Sequence, residues 1–237
     1  MHSQDDDSFW IHYKFTLPEN RIREFHIRLD RNTLRLLPEP RTAYPAWVSL
    51  TYHQCPNCPL DSATHPHCPV AANLVEVVEY FRQFWSCEAA EVEVTTEART
   101  VSRKTAVQTG LSSLAGLYMA TSGCPVLDKL RPLALTHLPF GGLEETLYRA
   151  VTMYALAQVF RRHRGKSPDW DLSGLGRIYE EIETVNRAFY QRIFDVTAKE
   201  AGQNALIQLN CYAQYTNTRS LQRRLGQIEQ FFDAYLD

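Results

Sequence analysis

The chain has 237 residues, 44% of them hydrophobic, and a formal net charge of -2 at pH 7. That length suits one large domain or two small ones, and 11 Phe with 12 Tyr can fill a core. Charges of both signs are spread along the chain, which excludes a concentrated basic footprint for nucleic acid, and no apolar run approaches the roughly eighteen residues of a membrane span.

The first residues, Met1-His2-Ser3-Gln4-Asp5-Asp6-Asp7, are acidic and polar, unlike a secretory signal or a transit peptide. A disordered tail over 1–8 and a cytoplasmic protein are therefore expected. Phe9, Ile11, Tyr13, Phe15 and Leu17 alternate with polar residues, and Phe25, Ile27 and Leu29 do so again after Pro18-Glu19-Asn20. Period two reads as half-buried antiparallel strands joined by a turn. Further short strands are expected at Leu34–Leu37 and at Val48, Leu50 and Tyr52.

A helix follows over residues 69–86, with Pro69 suited to its first position and Val70, Leu74, Val77, Val78, Phe81, Phe84 and Trp85 as its apolar stripe. Residues 91–107 read as a last hairpin. The rest reads as helix: 111–121 capped by Ser122-Gly123, 125–136 opened by Pro125, 143–164, 174–199, 203–215 and 220–235. The basic run Arg161-Arg162-His163-Arg164 sits where cations complement a helix C-terminus. The expected fold is α+β: residues 9–107 form a small antiparallel sheet with one long helix, and residues 108–237 form a helical, bundle-like half.

Between the strands and the first long helix lies His53-Gln54-Cys55-Pro56-Asn57-Cys58-Pro59, running on to His65-Pro66-His67-Cys68-Pro69. A fourth Cys-Pro pair, Cys124-Pro125, lies far downstream. Cytoplasmic thiols stay reduced, so clustered cysteines favour metal chemistry over disulfides. Cys55-x-x-Cys58 lets two thiolates hold one ion from a tight turn. Cys68 and Cys124 each fall at an expected helix N-cap, where the dipole favours the thiolate. The four sulfurs suit tetrahedral Zn2+ or a 4Fe-4S cluster. His65 or His67 is the alternative fourth ligand of a local Cys₃His zinc site, and His53 is a further candidate on a strand. Zinc ribbons carry Gly after the second Cys of each turn, whereas Pro59 stands here, which weighs against that comparison. Cys87 and Cys211, flanked by apolar residues, read as core fillers. A four-sulfur site would clasp the α+β half to the helical half.

Enzyme signatures are lacking. Gly110-Leu111-Ser112-Ser113 is no nucleophile elbow, because Leu114 replaces its second Gly; its small residues suggest a close helix contact. There is no glycine-rich phosphate loop and no Glu-x-x-His pair for a di-iron bundle. Glu144, Glu145, Glu180, Glu181 and Glu183 read as exposed faces. His137, with Asp169, Asp171, Asn186 and Arg187, is the only material for a polar site in the second half.

The combination of His53-to-Leu60, His65-to-Pro69, Thr121-Ser122-Gly123-Cys124-Pro125 and His137-Leu138-Pro139-Phe140 resembles an uncharacterised family of bacterial proteins with Cys-Pro motifs. The resemblance implies a bacterial, cytosolic origin and brings no activity. The sequence thus points to a metal-binding protein whose Cys-rich site is structural or sensory, acting through a homodimer or a protein partner of the helical half. An iron–sulfur redox protein, enzyme or oxidant sensor using the same cysteines is the alternative. A ligand-binding domain built around His137 and Asp169 is a third.

Overall fold

The computed structural model describes residues 8–236, apart from 38 and 40. Ser8 already belongs to the first strand, and the rest of the expected acidic tail lies outside the described residues. Strands β1 (Ser8–Leu17) and β2 (Arg21–Asp30) form an antiparallel hairpin with Ile11 opposite Ile27 and His12 opposite His26. Glu19 and Asn20 take the left-handed backbone conformation at its turn. Strands β3 (Ala89–Thr96) and β4 (Thr100–Ala106) complete a sheet in the order β2-β1-β3-β4. Period two holds throughout: Ile11, Tyr13, Phe15, Phe25, Ile27, Val92 and Val94 are buried on one face.

Helix α1 (Pro69–Phe81) and helix α2 (Val107–Thr121) lie in the interior with this face, and Phe15, Phe25 and Phe81 meet ring to ring. The chain then runs through a 3₁₀ segment (Leu127–Thr136), α3 (Leu143–His163), α4 (Ser173–Phe194), α5 (Ala201–Thr216) and α6 (Thr218–Ile228), with a last 3₁₀ segment (Glu229–Tyr235). One contiguous core reaches from Ile11 to Leu221, across both halves. Among the described residues, no helix is long and apolar enough to cross a membrane.

The α+β architecture matches the expectation, and the local differences have physical causes. Leu34–Leu37 makes only a single bridge, Leu29 to Leu36, and its second backbone partner is the end of α2, Thr121. Val48, Leu50 and Tyr52 do not form a strand. Ala46–Val48 is a 3₁₀ turn, and Ser49 bridges only to His67, because this stretch bonds to the cysteine loop rather than to the sheet. Helix α1 ends at Phe81, so Phe84 and Trp85 leave the stripe, and Trp85 is 50% exposed. Residues 127–136 wind as 3₁₀ with Pro132 inside, where proline withholds a helical donor.

Gly110 marks the tightest contact of α2 with the sheet. A Cβ there would stand 2.6 Å from the ring edge of Phe15 and 2.8 Å from a methyl of Val92, both fully buried. Helix propensity favours Gly110→Ala by about 1 kcal/mol, but neither neighbour can move aside and overpacking costs about 1–3 kcal/mol. We expect the variant to be up to about 2 kcal/mol less stable in denaturant unfolding; raised stability would show the contact to be slack.

Candidate metal centre

The cysteine loop is built on helix α4. Arg192 lies three residues after Phe189 on the buried stripe of α4 and, among the described residues, is the largest fully buried side chain, 1% exposed. Its Nη1 donates to the carbonyls of Trp47 at 2.5 Å and Ser49 at 2.8 Å, and Nη2 reaches that of Leu50 at 3.5 Å. Its guanidinium lies over the ring of Tyr52, 5.7 Å from the centroid. The loop is tied to α4 twice more, by Asn57 donating to the Glu181 carbonyl and by His53 at 2.6 Å from the Asp195 carboxylate. These bonds hold the backbone just before Cys55.

Cys55 and Cys58 share a tight turn closed by the Cys58 amide on the Cys55 carbonyl at 2.9 Å. Cys68 is the N-cap of α1, fixed by its amide on the Val48 carbonyl. Cys124 follows Gly123, which takes positive φ, and its amide donates to the hydroxyl of Ser122. Two segments 56 residues apart, Cys68 and Cys124, are thereby brought to the same loop. The four thiols sense one another. Cys55 is pushed up to about 12, first by burial, then by Cys68, Cys124 and Cys58. Cys124 is also pushed up, first by burial, against which the amides of Leu127 and Val126 pull it down.

That corrects one expectation. The segment after Cys124 is 3₁₀ and starts later than expected, so Cys124 is not the N-cap of an α-helix. Its two amides remain, and desolvation outweighs them. Arg192 opposes the rise at Cys55, though burial and the neighbouring thiols outweigh it.

The histidines of the loop are engaged elsewhere. His53 belongs to Asp195, His65 Nδ1 lies 2.9 Å from the Thr64 hydroxyl, and the His67 ring packs on Tyr44 at 4.5 Å. All three are exposed. The sulfurs are close without being closed around a point: no three of them lie within 4.8 Å of one another. Among the described residues the only three potential ligands that do are His12, Glu24 and His26, on the solvent face of β1 and β2, where the two imidazoles stack at 4.2 Å. Cys87 and Cys211 are exposed rather than core fillers. Glu183 is not on an exposed face either: it is 8% exposed and accepts from Asn217 at 2.6 Å.

Of the expected polar group around His137, only Asn186 lines the same cavity as the imidazole. Asp169 accepts from Tyr154 at 2.6 Å and from the Gly174 amide, capping the start of α4. His137 instead meets Tyr13 of β1 at 2.6 Å. Arg192 itself gives a faint sequence signal, since it continues the spacing of Ile182, Val185, Phe189 and Val196 as the one charged residue on an apolar stripe.

The profile of a family described as a domain of unknown function, DUF6901, matches residues 11–233, and the chain belongs to that family. No curated protein and no solved structure matches the chain.

Proposed function

From that family membership, which leaves the chemistry to the residues, we propose that the chain is a metal-binding protein whose centre is Cys55, Cys58, Cys68 and Cys124. The observation that carries this reading is Arg192. A fully buried guanidinium with only carbonyls as hydrogen-bond partners needs an anion nearby. The groups of opposite charge that act on it are Cys68, Cys55, Tyr52 and Cys58. Four thiolates around a divalent ion, or around a cluster core of charge +2, leave a net charge of about -2, which Arg192 offsets in part. A Cys₃His site finds less support, since each loop histidine has another partner.

The centre joins the cysteine loop, the start of α1 and the end of α2 over α4, so it would clasp the two halves. Three of its thiols are half-buried, within reach of exchanging ions or oxidants, which suits a structural or a sensory role. The output would be a contact with a second copy or another protein: α3 buries little beyond Leu147, Ala150 and Gln158 and leaves Leu143, Tyr148, Leu156 and Phe160 exposed.

A second reading, an iron–sulfur cluster used for redox work or oxidant sensing, is favoured by the spacing. Tetrahedral zinc at about 2.3 Å from each sulfur holds its sulfurs roughly 3.8 Å apart. Cluster ligands sit on separate irons and stand wider, as these thiols do.

Metal analysis with an absorption spectrum, on protein purified without air and without added metal, tests the centre. About one colourless zinc per chain gives the structural reading; a brown protein with iron and sulfide gives the cluster. No metal in either preparation overturns both. Cys124→Ala should lose most of the bound metal and lower the melting temperature; full metal content and unchanged melting would restore the Cys₃His set.

A further inference from the structure

Away from the cysteines, a cavity of about 160 Å³ is lined by α2, the 127–136 segment, α3, α4 and α5. Leu117, Met119, Leu127, Leu130 and Leu209 make its wall apolar. Polar side chains interrupt that wall, Ser112, His137, Arg149, Tyr179 and Asn186 among them. Ser112 is 2% exposed, and its hydroxyl has no hydrogen-bond partner. Asn186 is 3% exposed. Arg149 donates through Nη2 to the carbonyls of Leu133 at 2.7 Å and Thr136 at 3.0 Å, while its Nε is buried and unpartnered.

No carboxylate among the described residues pairs with Arg149. Its nearest acid in sequence, Glu145, is committed to the Gly142 amide at 2.7 Å, where it caps α3. A partly buried cation pays some desolvation cost, which carbonyl dipoles return only in part. An orphaned Nε and an orphaned hydroxyl in the same cavity are the hydrogen-bond pattern a carboxylate satisfies, one oxygen to each kind of donor. A water molecule would satisfy such donors but leave the leucine-lined remainder empty, and empty apolar volume is costly in a close-packed interior. Volume sets the size: a dry cavity of about 150 Å³ accommodates a benzene-sized molecule.

We propose that this cavity is a binding site for a small amphipathic monocarboxylate, its carboxylate on Arg149 and Ser112 and an aliphatic or aromatic body of about six carbons against the leucines. The site is separate from the cysteine centre, and nothing in the proposal depends on the metal.

The test compares hexanoate with hexanamide, which has the same number of heavy atoms and no charge. Binding is read from the ¹³C-methyl resonance of Met119, which lines the cavity. Hexanoate should shift this resonance saturably and bind on the order of 10- to 100-fold more tightly than hexanamide, the discrimination expected of a hydrogen bond to a charged group. Arg149→Met should abolish that preference, and Ala213→Leu, which fills the cavity from α5, should abolish binding of both. No saturable shift with either ligand overturns the site. Equal affinity for the two overturns the carboxylate assignment, and this comparison needs only the native chain, so misfolding of a variant does not shield the proposal.

Discussion

Arg192→Met should be the most damaging conservative-volume substitution in the molecule, lowering stability by about 3 kcal/mol and releasing metal from the cysteine centre. Two effects oppose each other. Methionine removes a buried charge, and desolvation has already drawn the guanidinium below its ordinary pKa range, so part of the cost of burying it is recovered. Against that, the carbonyls of Trp47, Ser49 and Leu50 lose their donors in a place closed to water. A buried acceptor left unsatisfied costs about 1–3 kcal/mol; the Ser49 carbonyl keeps the Tyr52 amide, but those of Trp47 and Leu50 remain, so the loss wins. Those three carbonyls fix the backbone leading into Cys55, so the thiols lose their placement together with their counter-charge. Arg192→Lys keeps the charge but not the planar fork that spans several carbonyls, and should fall between. Denaturant unfolding and metal content measured on the same preparations decide the matter. A methionine variant as stable as the native chain, with its metal retained, would remove Arg192 from the argument and with it the main support for the centre.

The sheet was readable because a half-buried strand writes its two faces into alternate residues. Ile11, Tyr13 and Phe15 against His12 and Lys14 leave one register open. Helix α4 was readable for the corresponding reason at period 3.6. Residues 48–52 misled because alternation over so few positions does not distinguish a strand from an irregular segment whose apolar residues fill a gap. Here the gap is over α4, and the hydrogen bonds go to Arg192 and to residues 66–68. The cysteines were legible as a set through their shared proline, a local signal. Their convergence depends on where α2 ends relative to α1, which no local pattern encodes. The cavity and its arginine were invisible for the same reason: Arg149 sits between exposed Tyr148 and buried Ala150 on a helix with little amphipathic contrast, and only the packing of five segments gives it an enclosed surface.

The second large effect is acid sensitivity at His137. Burial, then the charge of Arg149, depress its pKa from 6.5 to about 3. Its partner Tyr13 is fully buried and held well above the usual phenol range, so the phenol keeps its proton and donates it to Nε2 of a neutral imidazole. Protonating that imidazole in the folded state would oppose two donors and place a cation beside Arg149. The sign follows: the unfolded chain takes up the proton near pH 6.5 and the folded chain does not, so stability is complete above 6.5 and drains away as pH falls toward 3. Each unit is about 1.4 kcal/mol, which gives about 2 kcal/mol between pH 7 and 5 for an enclosed ring. The residue keeps some exposure to solvent, which trims the expectation to about 1–2 kcal/mol. His12, depressed by its own burial and by His26, titrates in the same direction. Asp169, held at about 2 by its contact with Asp171 and by donors from Tyr154 and the Gly174 amide, contributes only below its unfolded value near 4. The contribution of His137 is therefore isolated by comparing the native chain with His137→Gln across pH 7 to 5, a difference in which His12 cancels and Asp169 is silent. The glutamine variant should start out less stable at pH 7, where its amide replaces a well-fitted acceptor, and should lose less on going to pH 5. Parallel pH profiles for the two proteins would mean that the imidazole gains its proton as readily in the fold as outside it, and that the enclosure between β1 and α3 is open to water.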